Sequence, residues 1–122
     1  MADHLQPVRP VVSIRIDFAP GMRLGPGKAD LLEGIAGTGS IAAAGRQMGM
    51  SYKRAWMLVE ALNAMFRGPL VVSTKGGRAG GGAELTDLGR QVLAAYRRIE
   101  AAATADGSGD LARLASAFRP PG

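Results

Sequence analysis

Residues 40–66, SIAAAGRQMGMSYKRAWMLVEALNAMF, limit the possible folds more than any other stretch of this chain. Ser40 stands where its hydroxyl accepts an orphan N–H of a helix starting at Ile41, and the small residues leading to Met48 allow that helix to pack closely. Gly49 supplies a tight turn. Ser51 is a second N-cap, and Ala55, Leu58, Val59, Leu62 and Phe66 recur at helical spacing over 52–66. Two capped helices joined by so short a glycine-bearing turn predict a helix-turn-helix, whose second helix projects its N-terminal end outward. The apolar stripe leaves Tyr52, Lys53 and Trp56 near the outward side at that end.

The flanking segments extend this unit. Val12, Ile14, Ile16 and Phe18 alternate with Ser13, Arg15 and Asp17, the period of a half-buried strand. The run APGMRLGPG at 19–27 is punctuated by glycine and proline and reads as a connecting loop. A short helix carrying Leu31, Leu32 and Ile35 then ends at Gly37 and Gly39. After Phe66, the segment LVVSTKGGRAGGGAELT reads as strand, glycine-rich tip and strand, a wing whose tip carries Lys75 and Arg78. Thr86 caps a long helix over 86–105 with Leu88, Val92, Leu93, Tyr96 and Ile99 at its apolar positions. The expected fold class is mainly α with a small β component: a flexible tail over 1–10, a winged helix-turn-helix over 11–105 with a long C-terminal dimerisation helix, and a flexible or weakly helical tail over 106–122.

Together, GTGSIAAAGRQMGMSYKRAWMLVEALNAMF and GGRAGGGAELTDLGRQVLAAY resemble the amino-terminal DNA-binding domain of the ModE family, the molybdate-responsive transcription regulators, itself related to the LysR-type winged helix. The resemblance covers roughly residues 12–98, and its most specific parts are GMSYKRAW, the glycine-rich wing and LTDLG. It implies a homodimeric regulator whose recognition helix enters the major groove through Ser51, Tyr52, Lys53, Arg54 and Trp56, while Lys75 and Arg78 meet the backbone or minor groove. The sequence stops shortly after the long helix, so the resemblance implies the DNA-binding unit alone, without the family's molybdate-binding β domains.

Charge agrees with a polyanionic partner. The net charge is +5, and between Arg46 and Arg78 the basic residues Arg46, Lys53, Arg54, Arg67, Lys75 and Arg78 face the single acid Glu60. Ser40 and Ser51 read as caps first, with phosphate contact compatible with capping. Tyr52 and Trp56 have two readings, packing against neighbouring helices or reaching bases. A two-fold dimer would read two half-sites through an isologous contact at Leu93, Tyr96, Ile99 and Ala103, and Tyr96→Asp would then give a monomer.

Other functions find little support. Cysteine is absent and His4 is the sole histidine, so no metal site and no cofactor are expected. GTGSIA at 37–42 follows a helix rather than a strand, unlike a dinucleotide fingerprint, and GPGK at 25–28 lacks both the first glycine and the hydroxyl of a phosphate-binding loop. No nucleophile has a base nearby in sequence, which argues against an enzyme. No run reaches membrane-spanning length and no secretory signal opens the chain, so a cytoplasmic location without membrane association is expected. A protein-interaction module, or a small sensor responding to molybdate or another oxyanion, are the alternatives on the same domain.

Overall fold

The computed structural model describes residues 9–74 and 81–121. In chain order these form β1 (Ile16–Ala19), β2 (Met22–Leu24), α1 (Pro26–Thr38), α2 (Ile41–Gln47), α3 (Tyr52–Met65), β3 (Val71–Thr74), β4 (Gly82–Leu85), α4 (Asp87–Asp106) and α5 (Ser108–Ala117). The chain is mainly helical with two small antiparallel hairpins, β1–β2 and β3–β4.

The alternation expected over 12–18 appears in the burial as far as Ile16, since Val12, Ile14 and Ile16 are half-buried between exposed Ser13, Arg15 and Asp17, but it fails at Phe18, which is 56% exposed. Ladder pairing, however, begins only at Ile16. The loop expected over 19–27 is corrected: it contains β2 and the first residues of α1. Pro20 and Gly21 close a hairpin, with Gly21 at φ +76°, a left-handed conformation that glycine adopts without steric cost. Pro26 then starts α1, where its missing N–H is one the helix would leave unpaired anyway. At the other end Gly39 caps α1 at φ +70°, its N–H donating to the Ile35 carbonyl at 2.8 Å.

The core lies where α1, α3 and the wing meet. Leu31, Leu32 and Ile35 from α1, Ala55, Val59 and Leu62 from α3, and Leu70, Val71, Ala83 and Leu85 from the wing are buried together with Tyr96 of α4. Helix α2 approaches closely because it carries small residues: a Cβ on Gly45 would sit 3.0 Å from the Ala55 Cβ, and one on Gly34 equally close to that of Ala44. The wing is tied to this body at its root, where the Ala83 N–H donates to the Gly39 carbonyl at 2.9 Å. Asn63 fixes the path out of α3. Its Oδ1 accepts from the N–H groups of Leu70 and Val71 at 2.8 and 3.1 Å, and its Nδ2 donates to the Val71 carbonyl at 3.1 Å.

Helix α4 is held against α1 by Arg97, whose guanidinium reaches Asp30 at 2.7 Å, Glu33 at 3.0 Å and Glu100 at 3.0 Å. Hydrogen bonding to Asp30 outweighs partial burial and holds the guanidinium firmly in its charged form. The stretch expected as a loose or weakly helical tail carries α5, which follows α4 across Gly107.

Candidate nucleic-acid interface

Both serine caps form as the residue pattern suggests. The Ser40 hydroxyl accepts the Ala43 N–H at 3.0 Å, and that of Ser51 accepts the Arg54 N–H at 3.1 Å. Between the two helices Gly49 takes φ +71°. The α2–α3 turn is thereby fixed from both sides, and α3 starts with a defined first turn.

Burial of Ala55, Val59 and Leu62 determines which arc of α3 faces outward. Lys53 and Arg54 are exposed, Tyr52 is 57% exposed and Trp56 41%. Exposure on this scale, for two large aromatics four residues apart, favours the outward reading over core packing. Tyr52 and Trp56 line a groove of about 270 Å³ together with Ser40, Ile41, Ser73 and Gly82. The groove therefore joins the first turns of α2 and α3 to the root of the wing. Arg46 is exposed on the last turn of α2 and does not line that groove. Lys75 and Arg78 lie outside the described residues.

The expected dimer residues divide. Tyr96 is 1% exposed, and its hydroxyl donates to the Ile14 carbonyl at 2.7 Å. It is an internal tie between α4 and the segment before β1, which corrects the expectation that it is available to a second subunit. Leu93 packs against the same core and Ala103 is half-buried, whereas Ile99 is 47% exposed. Periodicity places these residues along one helix. It does not show that the N-terminal segment covers Tyr96, a contact spanning 82 residues of sequence.

Sequence reasoning also missed Asn63 and Arg97. A lone asparagine in a helix and an arginine among other charges give no local signal of the backbone or the acids they meet. Among the described residues no group of three or more His, Cys, Asp or Glu could hold a metal ion, and no helix is long and apolar enough to cross a membrane.

An α1–α2–α3 unit with an exposed edge on α3, followed by a two-stranded wing and a long helix, defines a winged helix-turn-helix of the bacterial regulator class. Residues 28–90 match the family described as bacterial regulatory helix-turn-helix protein, lysR family, and the chain belongs to that family. It is similar to the molybdenum-pterin-binding protein MopB of Rhodobacter capsulatus, 49% identical over 81 residues that make up 66% of this chain and 30% of that protein. The molybdenum transport protein ModE of Azotobacter vinelandii is 42% identical over 85 residues, 70% of this chain and 32% of that protein. The chain thus spans about a third of the length of these curated relatives. Among solved structures, the CbnR DNA-binding domain in complex with DNA superposes with a TM-score of 0.53 at 29% identity, covering 74% of this chain and 95% of that one. The family and fold are those of regulators, not of enzymes.

Proposed function

We propose that the chain is a ModE-like DNA-binding unit of a transcription regulator that reads a two-fold operator as a homodimer. The observation that carries this reading is the exposed N-terminal end of α3, where Tyr52 and Trp56 line the groove at the wing root and Lys53 and Arg54 are exposed beside them on the same helix. A helix in this position enters the major groove, with aromatic and cationic side chains at the base edges and phosphates. Ser40 and Ser51 serve this arrangement as caps that fix helix direction. Likeness to a domain solved on DNA supports the same orientation.

One recognition helix reads few base pairs, so a second copy supplies the other half-site about 34–36 Å away. Helix α4 offers Ala95, Ile99 and Ala102 at spacings of three and four on its outer flank, with Ala103 beside them. This flank replaces Tyr96 as the isologous contact. Binding measured by fluorescence anisotropy on the chain's own upstream region and on random duplex, at about 150 mM salt, separates operator recognition from charge attraction. Lys53→Ala with Arg54→Ala is expected to lower the exponent of the salt dependence by about 2, at roughly 0.9 for each phosphate no longer neutralised. An unchanged exponent would exclude both residues from the interface.

A further inference from the structure

The outward arc of α3 has two edges, and only one belongs to the wing. Arg54 sits about 200° around the helix from Tyr52, and Leu58 follows Arg54 on the same side. These two residues line a separate cleft of about 310 Å³, walled on its far side by the β1–β2 hairpin and the first turn of α1. Arg15, Arg23 and Lys28 line it from there. Four cations therefore converge on one cleft, beside a recognition helix that carries a further cation, Lys53, in the middle of its arc.

Among the described residues the carboxylate that answers these charges is Asp17. It meets Arg15 at 3.2 Å and Arg23 at 3.8 Å, and one carboxylate cannot balance four cations. Lys28 donates to the Arg23 carbonyl at 2.8 Å and lies 4.0 Å from the Met65 sulfur, which ties its ammonium to β2 and the end of α3 while its side chain lines the cleft. Desolvation first, and then crowding by the charge of Arg23, lower the Lys28 pKa below its ordinary value. Crowding of this kind weakens the isolated fold and is relieved when a polyanion enters.

A helix about 10–12 Å across fills a major groove about 12 Å wide, so the two phosphodiester strands bordering that groove run along the two edges of the helix. On one edge of α3 stands the wing, and on the other stands this cleft. We propose that Arg15, Arg23 and Lys28, on the β1–β2 hairpin and the start of α1, form a second backbone-contact surface that grips the DNA strand on the side of α3 opposite the wing. The inference rests on the DNA-binding reading above. It differs from that reading in making the hairpin part of the footprint, with Arg54 continuous between the two surfaces.

The test compares two double variants of the full chain that each remove two positive charges, Arg23→Gln/Lys28→Gln at the cleft and Arg113→Gln/Arg119→Gln at exposed positions on α5 and just after it. Thermal melting of both confirms that they fold. The cleft variant is expected to bind operator and random duplex more weakly by the same factor, because phosphate contacts carry no sequence information. Its salt exponent should fall by about 2, while the control stays near wild type. Ethylation interference should lose phosphate signals on one strand of each half-site, opposite strands in the two halves. Equal exponents for the two variants would overturn the inference while leaving the recognition helix intact, whereas wild-type protein that binds no duplex would overturn both readings. Inorganic phosphate and molybdate, titrated separately against thermal stability, form the remaining arm. Saturable stabilisation that disappears in the cleft variant, together with an unchanged DNA exponent, would assign the cleft to a free oxyanion and overturn the DNA contact.

Discussion

Replacing Tyr96 by phenylalanine deletes a single oxygen from a side chain that is 1% exposed, so the ring keeps its packing and no large cavity opens. What disappears is the 2.7 Å hydrogen bond to the Ile14 carbonyl, which joins α4 to the segment leading into β1. Removing one partner of a sheltered hydrogen bond costs about 1–2 kcal/mol. In a domain of this size that lowers the melting temperature by roughly 4–8 °C. A second signature follows from ionisation. Burial first, and then the charge of Glu100, raise the phenol pKa above its ordinary value of 10, with Arg97 opposing. Above pH 10 the unfolded chain releases this proton more readily than the folded one, so rising pH favours unfolding. The stabilisation due to Tyr96 is complete below the unfolded value and disappears as pH passes through the folded one. Denaturant unfolding of both proteins from about pH 8 to 11 should therefore show a gap that is constant at first and narrows above about pH 10, since other groups titrate alike in the two. Identical stabilities at the lower end of that range, or a gap that does not change, would refute the reasoning. Sedimentation should give the same mass for both proteins, because the hydroxyl faces inward.

Ile99→Asp, in contrast, is expected to give a folded monomer with reduced operator affinity, and sedimentation equilibrium that still returned a dimer would remove this flank of α4 from the interface. Gly89→Ala should destabilise the chain by about 1–3 kcal/mol in denaturant unfolding, because its Cβ would overlap the Leu70 carbonyl oxygen. Asn63→Ala leaves two N–H groups and a carbonyl at the start of β3 without their partner and is expected to cost about 1–3 kcal/mol, with faster hydrogen exchange at Leu70 and Val71 as the local readout.

The parts legible in the sequence are those governed by local rules. Ser40, Ser51 and Thr86 each accept the N–H three residues on, as a cap should, and the buried stripe of α3 follows the 3.6-residue period. The β1–β2 hairpin is hidden because proline and glycine dominate residues 19–27, a run that reads equally well as loop, although Pro20–Gly21 is itself a turn signal. Tyr96 is misread for a different reason. Helical periodicity ranks residues by face, but a long helix with apolar side chains on adjoining faces does not reveal which face its own chain covers. The covering segment, around Ile14, lies far away in sequence.

The same distinction governs the interface. Periodicity alone defines an outward arc on α3 and puts Lys53 in it, because Ala55, Val59 and Leu62 must turn inward. What borders the arc is decided by non-local contacts. The Ala83 N–H bound to the Gly39 carbonyl draws the wing root to one edge, where Tyr52 and Trp56 line the groove. The Pro20–Gly21 turn and the Pro26 start of α1 bring Arg15, Arg23 and Lys28 to the other, beside Arg54. Arg54 is exposed on the recognition helix and lines the cleft, so removing it should be felt by both. If the cleft grips the backbone, the effects of Arg54→Ala and Arg23→Gln on affinity will be coupled rather than additive, since side chains sharing one phosphate neighbourhood do not act independently. Lys53→Ala, separated from the cleft by the curve of the helix, should instead combine with Arg23→Gln almost additively. A double-mutant cycle in which both pairs add equally would mean that the hairpin and the recognition helix do not meet the same strand.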